Sequence, residues 1–119
     1  MLTIPQPEQI YLAAGYTDLR KSIDGLTALV QEGFALSPFS SALFVFCNRG
    51  RDKLKMLYWD HNGFWLFYRR PERGVFAWPE TANDSGPMSI TPRQLRWLLD
   101  GLSLEQRRAH QKVRAEIAI

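Results

Sequence analysis

Apolar residues recur along this chain with two different periods. Leu19, Ile23, Leu26, Leu29, Val30 and Phe34 follow one another at three- and four-residue steps, which places them on one face of a helix over residues 18–33. Thr17 or Asp18 stands where its N-cap belongs. Gly25 inside it costs about 1 kcal/mol relative to alanine, so a packing reason or a break is expected there, and Gly33 is placed to end it. Ala42–Cys47 is a continuous apolar run of β-formers, the pattern of a central strand covered on both faces. Residues 54–59 and 64–68 are two further strands. Asp60-His61-Asn62-Gly63 between them predicts a hairpin with Asn62-Gly63 as its tight loop. Shorter strands are expected at 9–15, at 75–78 before Pro79, and at the edge over 88–90.

Two helix starts close the chain. Thr91 as cap, Pro92 at the first helical position and Gln94 form a capping box, with Leu95, Leu98 and Leu99 as the apolar side and Gly101 as terminator. Ser103-Leu104-Glu105-Gln106 repeats the pattern and predicts a polar helix through Ala118. The fold expected is α+β: a single compact domain with an antiparallel sheet of about five strands, packed by the N-terminal amphipathic helix, with C-terminal helices at its edge. Residues 1–101 form the domain and 102–119 a helical extension.

At 119 residues the chain supports one core. Its net charge of +3 and pI of about 9.3 are a mild excess, so where the charge clusters matters more than its sum. A single cysteine, Cys47, excludes an internal disulfide. With no signal-peptide pattern at the N-terminus, this points to a reducing cytoplasm. No apolar run reaches the roughly 18 residues of a membrane span.

Charge does cluster around the predicted hairpin. Arg49, Arg51, Lys53 and Lys55 precede it; Arg69, Arg70 and Arg73 follow it, and antiparallel pairing brings the two groups side by side. Alternation sends Lys53 and Lys55 to one face. With Asn62-Gly63 as the loop, Lys55 faces Arg70, an arrangement that calls for an anion between them. Such a surface suits a nucleic-acid backbone, where each phosphate contact releases counterions. Solvated strand ends that discourage edge pairing are the other reading. Trp59 and Trp65 are candidates for base stacking, although most of the aromatic residues between Tyr58 and Trp78 serve equally as core. Arg20 and Asp24 are spaced to pair on the helix surface.

Catalytic and metal chemistry find little support. His61, His110 and Cys47 lack ligand spacing, and Cys47 reads as a small buried hydrophobe. Asp52 lies among cations and Asp60 before a tight turn, both structural settings for a carboxylate. There is no glycine-rich phosphate loop and no serine nucleophile motif. No catalytic residue, metal or cofactor is therefore expected.

Taken together, Gly15-Tyr16-Thr17-Asp18-Leu19-Arg20-Lys21, Phe44-Val45-Phe46-Cys47-Asn48-Arg49, Leu57-Tyr58-Trp59-Asp60, Gly63-Phe64-Trp65-Leu66, Tyr68-Arg69-Arg70 and Thr91-Pro92-Arg93-Gln94-Leu95 resemble one bacterial family. It is the TnpB accessory protein encoded by the second reading frame of IS66-type insertion sequences, distinct from the RNA-guided nuclease of the same name. The resemblance covers roughly residues 9–101, with Gly50 where a further basic residue is expected. It implies a non-catalytic role in transposition beside a separate, larger transposase, and it supplies no catalytic residues. Two functions follow as expectations. One is DNA binding, at element ends, through the basic aromatic hairpin. The other is an adaptor docking on the transposase through an exposed aromatic sheet face; a homodimer through that face is compatible with either.

Overall fold

The computed structural model describes residues 7–80 and 87–106. Its elements are β1 (Gln9–Leu12), α1 (Ile23–Ala28) continued by a π-helical turn (Leu29–Gly33), β2 (Ala42–Cys47), β3 (Leu54–Asp60), β4 (Gly63–Arg69), β5 (Met88–Ile90) and α2 (Pro92–Leu99). Every residue of β2 is buried, as its unbroken apolarity demands. The five strands lie in the order β4-β3-β2-β1-β5. The pairs β2–β3, β3–β4 and β1–β5 are antiparallel, whereas β1 and β2 run parallel. That parallel pair corrects the expectation of a purely antiparallel sheet. The helical segment 23–33 is a crossover between β1 and β2, and a crossover returns the chain in its original direction.

Alternate residues of β2 enter two cores. Leu43, Val45 and Cys47 pack with Leu54, Met56, Leu98, Phe76 and Trp78, while Ala42, Phe44 and Phe46 pack with Leu57, Leu26 and Val30. The helical segment thus covers one face, and α2 with residues 76–78 covers the other.

The expected strand over 75–78 is absent. Phe76 and Trp78 are only 1% and 4% exposed, so the two-residue alternation is real. The segment has no ladder partner, however. It is held by Phe76 N–H donating to Arg51 O (2.7 Å) and Trp78 Nε1–H donating to Ala13 O (3.0 Å). It packs against the sheet face as extended chain, and β5 supplies the fifth strand.

The amphipathic helix is shorter than residues 18–33 suggest. It begins at Ile23 after an extended Ser22 that makes no side-chain cap, so neither Thr17 nor Asp18 caps it. Residues 18–21 form a turn instead, closed by Lys21 N–H to Asp18 O (3.2 Å). Gly25 has a packing reason: a Cβ there would stand 3.0 Å from the Cβ of Lys21. Gly15 is required twice over, by a φ of +78° and by an approach to Glu80 O that would leave a Cβ only 3.0 Å away.

The β3–β4 loop is His61-Asn62 rather than Asn62-Gly63. Asp60 pairs with Gly63, and His61 takes the positive φ, +62°. This register extends pairing over all of both strands and sets the Trp59 and Phe64 rings 4.9 Å apart. Lys55 consequently faces Tyr68, not Arg70.

At α2 the capping box is complete. Thr91 Oγ1 accepts from Gln94 N–H (3.1 Å), and Gln94 Oε1 accepts from Thr91 N–H (2.9 Å). Residues 103–106 make local hydrogen bonds but no helix; the remainder of the predicted C-terminal helix, from 107 onward, lies outside the described residues, as does most of the 81–87 loop. Among the described residues no helix is long and apolar enough to cross a membrane.

Thr91→Ala removes the cap and should lower stability by about 1 kcal/mol. Leu98→Ala opens a void in the core and should cost about 2–5 kcal/mol. Both are read as shifts of the urea midpoint at constant m-value.

Candidate nucleic-acid interface

The turn between β2 and β3 is built by one side chain. Asn48 Oδ1 accepts from the backbone N–H of Asp52 and Lys53 (both 3.0 Å), and its Nδ2 donates to Asp52 Oδ1 (2.7 Å). Arg51 takes a left-handed φ of +60° within this loop. The hydrogen bond from Asn48, with the positive fields of Lys53 and Arg70, holds the Asp52 carboxyl below the usual carboxylate range.

Strand register then collects the cations. Leu54 faces Arg69, so β4 ends beside the 48–53 turn and delivers Arg69 and Arg70 there. The bond from Phe76 N–H to Arg51 O returns the chain to the same end after Arg73. Individually these residues differ. Arg51 forms an ion pair with Glu80. Lys55 Nζ donates to the carbonyls of Leu19 (2.7 Å) and Lys21 (3.2 Å), tying the turn before α1 to β3. Lys53 Nζ is 3.9 Å from Asp52 Oδ1. Arg49 lies over the Tyr16 ring, 5.4 Å from its centroid. Arg69, Arg70 and Arg73 are exposed and have no carboxylate at ion-pair distance among the described residues.

Trp59 and Trp65 stand at the other end of the strands, beside the 61–62 loop. Five residues at about 3.4 Å each separate Trp59 from Leu54. Trp59 packs between Phe39 and Phe64, at 5.0 and 4.9 Å. Trp65 is 40% exposed; it stacks on Phe67, and its Nε1–H donates to Asp60 Oδ2 (3.1 Å). The sheet therefore gathers the cations and sets both tryptophans apart from them.

Two tyrosines take the place beside the cations that the tryptophans leave empty. A cleft of about 650 Å³ is lined by Tyr16, Arg49, Lys53, Lys55 and Tyr68, with Asp18 and Arg20 also at its wall. Tyr16 is 65% and Tyr68 54% exposed. Arg20 does not pair with Asp24. Its guanidinium grips Asp18 through Nε (2.9 and 3.2 Å) and a terminal nitrogen (2.7 Å), and this holds the Asp18 carboxyl well below the usual range. A smaller hollow of about 350 Å³ adjoins, sharing Tyr16 and Arg49 and reaching Arg51, Trp78 and Glu80. Tyr68 was legible as the partner of Lys55 once the loop was placed by one residue less; Tyr16 carries no periodic signal.

No group of three or more His, Cys, Asp or Glu suited to a metal occurs among the described residues. Cys47 lies wholly inside, and burial pushes its thiol up to about 11 from an ordinary 9.0. A thiol raised on folding contributes its full stabilisation below the unfolded value and loses it as pH rises through the folded one. Stability should therefore fall more steeply between about pH 9 and 11 in the native protein than in Cys47→Ala, by up to about 1.4 kcal/mol per pH unit. Denaturant titrations across that range check it. Lys55→Met leaves two carbonyls without their charged donor and should cost about 1–2 kcal/mol. Arg20→Ala, at an exposed ion pair, should stay within about 0.5 kcal/mol of native in the same assay.

Comparison with known proteins places this arrangement in a family. The model described as IS66 Orf2 like protein matches residues 8–109. An uncharacterized protein of Sinorhizobium fredii, y4hO, is 38% identical over 102 residues, covering 86% of this chain and 87% of its own length. A second from the same organism, y4jC, is 31% identical over 94 residues, 79% of each chain. No solved structure gives a significant match. The chain belongs to the IS66 Orf2-like family, the insertion-sequence-associated accessory proteins.

Proposed function

We propose that this protein assists transposition by binding DNA, without cutting it, through the basic end of its sheet. One observation carries the reading: Arg49, Arg69, Arg70 and Arg73 are all exposed near the 48–53 turn with no carboxylate partner among the described residues. Exposed guanidiniums at one end of the sheet, with Arg69 on the face opposite Tyr68, suit a phosphate backbone that passes over that end, and the released counterions supply the affinity. Arg51 and Lys55 contribute less directly, because each is already engaged inside the protein. Phosphate contacts of this kind position a protein on DNA without choosing a sequence.

The aromatic cluster at the opposite end supports a second reading, an adaptor for the larger transposase. Phe39 is half-exposed above Trp59 and Phe64, and Trp65 is exposed on the opposite face of the same end of the sheet. Exposed aromatic anchors of this sort commonly carry protein–protein contacts.

Fluorescence anisotropy with labelled element-end and scrambled duplexes at two salt concentrations separates the two. The DNA reading expects binding to both duplexes that weakens steeply with salt. Arg49→Ala with Arg70→Ala should lower the slope of log K against log salt by about 2. Absence of binding to either duplex at low salt turns the assignment to the adaptor, which expects Phe39→Ala or Trp65→Ala to abolish capture of the transposase.

A further inference from the structure

We propose that the 650 Å³ cleft is a seat for an unpaired nucleotide of a DNA strand, with the adjoining hollow taking its neighbour. The inference rests on the DNA-binding reading and specifies which form of DNA the site prefers. Three observations carry it. The first is size: 650 and 350 Å³ lie within the range of about 300–1,000 Å³ of small-ligand sites. A base stacked inside a duplex cannot enter such a hollow, whereas an unpaired one can.

The second is the pairing of rings with cations. Tyr16 and Tyr68 line the cleft and are more than half exposed, so their ring faces are available to a flat ligand. Arg49, already over the Tyr16 ring, and Lys53 stand beside them to meet phosphate oxygens. Lys55 spends two of its three ammonium donors on the carbonyls of Leu19 and Lys21. Asp18, the one carboxylate on the cleft wall, has its charge matched by the bidentate grip of Arg20. The adjoining hollow carries Glu80, paired with Arg51, so neither wall presents an unmatched carboxylate to a polyanion.

The third is continuity. Tyr16, Asn48 and Arg49 belong to the lining of both hollows, so the two adjoin at these residues. Successive nucleotides of a single strand, one in each hollow, fit that plan, with a base on the face of Tyr16 that Arg49 leaves open.

The test uses anisotropy at low salt with a labelled oligothymidylate of about 12 nucleotides and a blunt hairpin duplex of similar charge. The proposal expects the single strand to bind more tightly than the duplex. Tyr16→Ala and Tyr68→Ala should each weaken strand binding at least about five-fold, the lower end of what one base–aromatic stack contributes, while Tyr16→Phe stays near native. Duplex affinity should change less than about two-fold in all three variants, which also shows that they remain folded. Equal affinity for strand and duplex, with the tyrosine variants indifferent, overturns this inference and leaves the phosphate-binding surface standing. Displacement of the strand by thymidine monophosphate at similar concentrations assigns the cleft to a free nucleotide and overturns it as well. No binding to either probe removes the DNA reading itself.

Discussion

The burial of β2 on both of its faces governs the rest of this molecule. Six residues without a single polar side chain have to be covered twice, and each cover comes from a different part of the chain. The crossover before β2 supplies Leu26 and Val30 to one side. The other side is closed from beyond β4, by Phe76, Trp78 and Leu98. These residues are far from β2 in sequence, so the sheet's ends, its crossover and its C-terminal helix are all consequences of sealing one strand from water.

The candidate site grows out of that same strand. Where β2 leaves the core, Asn48 turns the chain sharply and the backbone immediately carries charge. The chain beyond β1 runs beside it, with Thr17 N–H donating to Cys47 O (2.8 Å), and this sets Tyr16 next to Arg49. Lys55 then links the turn before α1 to β3 from beneath. Cations and rings gather here because three segments end together, while the opposite end of the hairpin is packed with tryptophan and phenylalanine. One sheet thus presents two chemically different ends.

Much of this could be read from the residues. The boundaries of β2 and β5, the Thr91 capping box and the α+β class follow from local signals that tertiary contacts do not override. The failures are equally instructive. Residues 75–78 have a strand's alternation, but alternation reports only that one side is buried, and here the covering surface is a sheet face rather than a neighbouring strand. The direction of β1 relative to β2 depends on where the chain returns, which no local pattern records. Asn62-Gly63 is the stronger loop signal, yet the His61-Asn62 loop wins because it lets the whole hairpin pair. That Arg69 and Arg70 lie at the strand end beside the 48–53 turn follows from antiparallel pairing; the engagement of Arg51 with Glu80 and of Lys55 with backbone carbonyls depends on segments distant in the chain.

The position of β1 also bears on how the molecule is made. β1, which precedes every other described strand along the chain, sits between β2 and β5, and its outer ladder joins Ile10 to Ile90. The β2–β3–β4 meander closes over short distances and can zip as soon as it is synthesised, whereas β1 holds an open hydrogen-bonding edge until residues 88–90 have emerged. During that interval the nascent protein exposes the kind of strand edge that invites pairing with another copy. The three residues of β5 are thus the last latch of the sheet, and until they pair the outer edge of β1 stays adhesive.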